Sequence, residues 1–119
     1  MSEHEEQMLV IQWAKMMEQF CPGLALLHAI PSGGHRHARV GVYMKEEGVK
    51  RGCPDLSLPV PRSGYHGMYI ELKFGKNKPT VEQLEWLAAL VEQGYSCWVC
   101  YGADQAIDAL CSYLKLERR

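Results

Sequence analysis

The chain has 119 residues, 47% of them apolar, with 13 basic and 14 acidic side chains and a formal net charge of −1. That is enough material for one compact domain with its own core. No stretch reaches the ~18 apolar residues of a membrane span, and near-neutral charge gives no global argument for nucleic-acid binding.

The opening acids Glu3, Glu5 and Glu6 are not the basic-then-apolar pattern of a signal peptide. Five cysteines, an odd number, fit reduced thiols in a cytoplasmic setting better than a disulfide framework. Taken in chain order, residues 5–20 read as an amphipathic helix, with Glu3, Glu6, Val10, Trp13, Met17 and Phe20 at spacings of three or four. Cys21-Pro22-Gly23 stops it, and the apolar run 24–30 predicts a strand. Pro31-Ser32-Gly33-Gly34 is a loop whose main chain can approach a ligand closely. A second helix over about 37–47 ends at Gly48. Asp55 to Val60 reads as a strand that Pro59 and Pro61 keep short or near an edge. Ser63 to Gly67 turns into a strand over 68–74. Pro79-Thr80 opens a helix to Gln93-Gly94 with Trp86, Leu87, Leu90 and Val91 inward. A strand at 95–101 and a helix at 103–115 complete the order α-β-α-β-β-α-β-α. That order predicts a mixed α/β sheet flanked by helices, with a hairpin feeding a crossover helix.

The chemistry concentrates in two places. Gly52-Cys53-Pro54-Asp55 is followed, sixteen residues after Asp55, by Glu71 within Met68-Tyr69-Ile70-Glu71-Leu72-Lys73-Phe74. Strand alternation puts Met68, Ile70, Leu72 and Phe74 on one face and Tyr69, Glu71 and Lys73 on the other. If Asp55 borders a neighbouring strand, two carboxylates and an ammonium meet. Such a group suits metal-dependent phosphodiester cleavage: Asp55, Glu71 and the Leu72 main-chain carbonyl as oxygen ligands for Mg²⁺ or Mn²⁺, and Lys73 beside the attacking water. The commonplace alternative is an exposed strand carrying a surface pair worth under ~1 kcal/mol. Basic residues cluster before the motif, at Arg36, Arg39, Lys45, Lys50 and Arg51 with His35 and His37, against Glu46 and Glu47. They read equally as a phosphate track or as a solvated helix face. Cys97 and Cys100 fall on opposite strand faces and lack a second pair, so they read as core thiols rather than a zinc site.

More of the chain agrees with the nuclease reading. Ile30-Pro31-Ser32-Gly33-Gly34-His35-Arg36, the run Glu47 to Leu56, Gly67 to Lys73, Gln83 with Trp86, and Gly94-Tyr95 together make the chain resemble the VRR-NUC family. These are the virus-type replication-repair nucleases of the PD-(D/E)xK superfamily. The resemblance covers roughly residues 3–114, so residues 1–119 read as one such domain, similar to stand-alone forms in bacteriophage and prophage genomes. It implies a restriction-endonuclease-like fold and a metal-dependent endonuclease with Asp55, Glu71 and Lys73 in the site. It also implies an acid from the first helix, which Glu3 and Glu6 fit equally, and Gln83 near the metal. Thr80-Val81-Glu82-Gln83 is equally a capping box. Lys50, Arg51, Arg36 and His35 are the candidate DNA contacts. Ser32 stands where the family usually carries Asn.

The resemblance implies branched DNA, such as four-way junctions, as substrate. Paired incisions by one small domain call for a homodimer. The host would be the cytoplasm of a bacterial or phage-infected cell. The rivals are a non-catalytic DNA-binding or interaction module that keeps the fold, and a restriction-type nuclease.

Overall fold

A computed structural model describes residues 1–31 and 38–118. Helix α1 spans Glu3–Met17 and is opened by Ser2, whose hydroxyl accepts the Glu5 N–H at 3.2 Å. A 3₁₀ turn at Pro22–Leu26 leads into β1, His28–Ala29. Helix α2 is Ala38–Glu46, β2 Leu56–Leu58 and β3 Met68–Lys73. Helix α3, Val81–Glu92, then connects to β4, Ser96–Tyr101, and α4, Ala103–Leu114, ends the fold. The element order matches the predicted one.

The four strands lie in the order β1-β2-β3-β4, antiparallel except for the parallel β3–β4 pair. Met68, Ile70 and Leu72 of β3 pack with Leu56 and Leu58 of β2 against Val10, Trp13 and Met17 of α1 and Leu110 and Tyr113 of α4. Each such fully buried aliphatic side chain contributes about 1.5–3 kcal/mol. Because alternate strand residues face opposite ways, burying this set commits Tyr69, Glu71 and Lys73 to the other face. A one-residue slip would exchange the two sets. Helix α3 packs along β4, with its first turn on that second face.

The hairpin end is tied to α4 by Tyr113, whose hydroxyl donates to the Val60 carbonyl at 2.6 Å and accepts the Arg62 N–H at 3.1 Å. Among the described residues no helix is long and apolar enough to cross a membrane.

Several local expectations are corrected. Residues 24–30 are not one strand. Pro22 starts a 3₁₀ turn, and only His28 and Ala29 pair with β2. Helix α1 ends at Met17, so Phe20 leaves the buried stripe and is 51% exposed. Phe74 lies past the end of β3 and Val91 faces out of α3, so both are exposed. β2 is short, as Pro59 requires, yet it is internal, because the two residues of β1 cover its other side.

Candidate active site

The site is built by the β2–β3 register. Leu56 faces Ile70 and Ser57 faces Tyr69, so the next step of the same antiparallel register sets Asp55 opposite Glu71. Directly opposed residues hold their Cβ atoms about 4.5–5.5 Å apart. Pro54 would come next but has no N–H to donate, and β2 stops before it. The Leu72 N–H, which a continuing strand would have engaged through its carbonyl, instead donates to the Asp55 carboxylate at 2.7 Å. The Asp55 carbonyl in turn accepts the Ile30 N–H at 2.8 Å. Asp55 is therefore held through both its main chain and its side chain. The Leu72 carbonyl points to the same side as its N–H, toward Asp55, because one residue's two main-chain groups share a direction in a strand. The Lys73 carbonyl, one residue on, turns the other way and accepts the Gly102 N–H at 3.2 Å.

Glu71 is 2% exposed and Lys73 8%, so neither belongs to a solvated surface pair. The Lys73 ammonium lies 3.4 Å from Glu71 Oε2, and the same oxygen accepts the Gln83 side-chain N–H at 3.0 Å. Glu71 Oε1 is buried and has no hydrogen-bonding partner among the described residues. Burial above all, and then the Asp55 charge, push the Glu71 carboxyl up to about 8, with Lys73 opposing. Asp55 is also raised, chiefly by burial, against the Leu72 N–H bond and with the Glu3 charge adding to the rise. The two carboxyl groups face each other across the register and titrate as a pair.

Gln83 closes the capping box and also reaches Glu71. Its side-chain carbonyl accepts the Thr80 N–H at 2.9 Å while the Thr80 hydroxyl accepts the Gln83 N–H at 3.2 Å, a complete capping box. The amide nitrogen left over is the one that reaches Glu71. The cap thereby aims the side chain at the carboxylate pair.

The two helix acids separate. Glu6 Oε2 accepts the Ala103 N–H at 2.7 Å and so supplies the cap that α4 lacks, since Gly102 has no side chain to give. Glu3, one turn earlier and exposed, is the acid whose charge acts on Asp55.

Lys50 and Arg51 are exposed on the approach to Asp55. Arg51 Nε lies 4.0 Å from the Glu82 carboxylate. Gly52, at φ +87°, allows the tight approach to α3, where a Cβ would come within 2.8 Å of the Glu82 main chain. The loop thus rests on the helical turn that carries Gln83. Arg36 and His35, with the Ser32–Gly34 loop, lie outside the described residues.

Cys53 stands two residues before Asp55. Burial, then the Glu71 and Asp55 charges, raise its thiol, which keeps it protonated and unreactive. All five cysteines are free; Cys100 is in the core, as predicted, and Cys97 is half-buried.

Two carboxylates and one main-chain carbonyl form an all-oxygen donor set suited to a hard divalent cation, and the unpartnered Glu71 oxygen is an acceptor that such an ion would satisfy. Among the described residues no group of three or more His, Cys, Asp or Glu side chains is gathered to hold a metal ion. A site with two carboxylates leaves positions for water and substrate oxygens, which is the habit of Mg²⁺ rather than of a closed structural site.

No curated protein matches the chain. A solved structure described as a VRR_NUC domain protein superposes with a TM-score of 0.82 at 33% identity, covering 98% of this chain and 90% of that one. The VRR-NUC domain model matches residues 2–104. With most of its length matched and the same architecture, the chain belongs to the VRR-NUC family of nuclease domains.

Proposed function

We propose that this protein is a Mg²⁺- or Mn²⁺-dependent DNA endonuclease acting on branched DNA such as four-way junctions, with Asp55, Glu71 and Lys73 as its catalytic set. The observation that carries this reading is the register-matched pair of a half-buried Asp55 and a buried Glu71, with one Glu71 oxygen unpartnered and the Lys73 ammonium 3.4 Å from the other. Two carboxylates face to face and withdrawn from water are unfavourable unless something cationic or a proton lies between them.

Asp55, Glu71 and the Leu72 carbonyl would hold the cation, and Glu3, whose charge already acts on Asp55, is the candidate helix acid. When bound, such an ion supplies an activated water and neutralises charge on the phosphate. Water adds to phosphorus and a bridging P–O bond breaks, leaving a phosphate on one end and a hydroxyl on the other. Lys73 stabilises the negative charge that grows on the phosphoryl oxygens. Gln83 fixes the Glu71 carboxylate. Lys50 and Arg51 hold the DNA backbone beside the cut. One small domain carries one such site, so paired incisions on a junction call for a homodimer.

The test is cleavage of duplex, flap, splayed and four-way DNA with Mg²⁺ or Mn²⁺, using wild type, Asp55→Ala and Lys73→Ala. Cleavage of the junction by wild type, lost in both variants, supports the assignment. Undiminished cleavage by both variants removes the site, and DNA binding without cleavage in either metal identifies a non-catalytic module. A monomeric mass with full junction cleavage removes the dimer.

A further inference from the structure

The segment between β3 and α3 leaves the candidate site at Lys73 and returns to it at Thr80 and Gln83, so both of its ends are pinned beside the carboxylate pair. Lys76 and Lys78 lie within it, each two or three residues from a pinned end, and three residues reach at most ~10 Å. Both lysines are exposed, and neither has an ion-pair partner among the described residues. No acid lies between Glu71 and Glu82 to offset them.

The loop is held in shape by specific bonds. The Tyr101 hydroxyl donates to the Asn77 carbonyl at 2.8 Å, the Asn77 N–H donates to the Phe74 carbonyl at 3.2 Å, and Gly75 takes φ +63°. Arg51 also approaches α3's first turn, at Glu82. The first turn of α3 therefore adjoins two basic loops and, through Gln83, the buried Glu71.

From this placement we infer that the 74–79 loop is a second DNA-backbone contact, in which Lys76 and Lys78 each hold a phosphate in addition to those held by Lys50 and Arg51. A pre-shaped loop presents two ammonium groups without the cost of ordering it on binding. Contacts of this kind fix where a strand lies over the carboxylates and carry no sequence preference. The inference rests on the nuclease reading above, and names a part of the substrate track that the motif does not contain.

The experiment is DNA binding by fluorescence anisotropy in EDTA, on labelled duplex and four-way junction over a salt series. Each lost phosphate contact lowers the slope of log K against log salt by about 0.9 on duplex DNA. The double variant Lys76→Ala/Lys78→Ala should lose about 1.8 in slope, and roughly tenfold or more in affinity near 0.1 M salt, on both substrates. Lys76→Arg/Lys78→Arg should keep the slope, which separates charge from folding, and Lys15→Ala on α1 should leave it unchanged. An unchanged slope in the double Ala variant overturns the loop assignment while leaving the nuclease reading intact. An equal loss in Lys15→Ala overturns it as well. A wild-type protein that binds neither DNA overturns both.

Discussion

Asp55 and Glu71 face each other across the β2–β3 register, and Leu72, the residue after Glu71, donates its N–H to the Asp55 carboxylate at 2.7 Å. One strand therefore supplies an acid and also the main-chain group that orients the other acid. The arrangement brings two like charges together in a buried place, and its consequences can be measured.

The first concerns pH. The Glu71 carboxyl titrates at about 8 when folded against an ordinary value of 4.5. The folded protein thus keeps a proton that the unfolded chain has already lost. Stability without metal is full below about pH 4.5, falls as pH rises and levels off above about pH 8. The raised Asp55 carboxyl acts with the same sign. Glu71→Gln removes the buried charge and retains an acceptor for Gln83. Denaturant unfolding should show it more stable than wild type by about 1–3 kcal/mol at pH 8.5, with little difference at pH 4.5. Cleavage should be lost. A wild-type stability that rises from pH 5 to pH 8 contradicts this.

Divalent metal should reverse that trend. An ion bound to the ionised pair competes with protons, so the rise in melting temperature on adding Mn²⁺ or Mg²⁺ should grow between pH 6 and pH 8.5. At a hundred times the dissociation constant the stabilisation is about 2.7 kcal/mol. Asp55→Ala should abolish it, and EDTA should restore the metal-free melting curve.

The two acids of α1 should behave differently. Glu6→Ala leaves the first amides of α4 uncapped and should cost about 1–2 kcal/mol of stability, with Glu6→Gln recovering much of it through the same acceptor. Glu3→Gln should leave the melting temperature within about a degree or two and reduce cleavage at least tenfold. Equal effects of the two substitutions on cleavage would show that the α1 acids are not divided in this way.

Gln83 and Thr80 share a cap, but only Gln83 touches Glu71. Thr80→Ala should therefore lower stability by about 1 kcal/mol and leave the pH midpoint of cleavage in place. Gln83→Glu keeps the capping box and sets a third carboxylate against Glu71. It should move that midpoint upward while the melting temperature stays near that of Thr80→Ala or above it. Identical pH profiles for the two variants would reduce Gln83 to its cap.

What could be read along the chain was whatever depends on near neighbours. The alternation of Met68 to Lys73 announced a strand with Glu71 and Lys73 on one face. Thr80 and Gln83 announced a helix start, and Gly48 a helix end. The motif residues themselves, and the family they point to, were equally visible. The run 24–30 misled because its apolar content does not distinguish a 3₁₀ turn from a strand, and only pairing with β2 decides how much of it is extended.

Local pattern settles which face of its own element each candidate residue occupies, since periods of two and 3.6 residues are properties of the backbone. Which of them meet is set by packing between distant segments. The β2–β3 register sets Asp55 opposite Glu71, and packing of α1 on α4 takes Glu6 for the Ala103 amide, leaving Glu3 as the α1 acid whose charge acts on Asp55. Burial of the pair behind α3 turns a commonplace Glu-x-Lys into a carboxyl that titrates at about 8. These are outcomes of hydrogen-bond register and desolvation between segments far apart in the chain, and no local pattern encodes either.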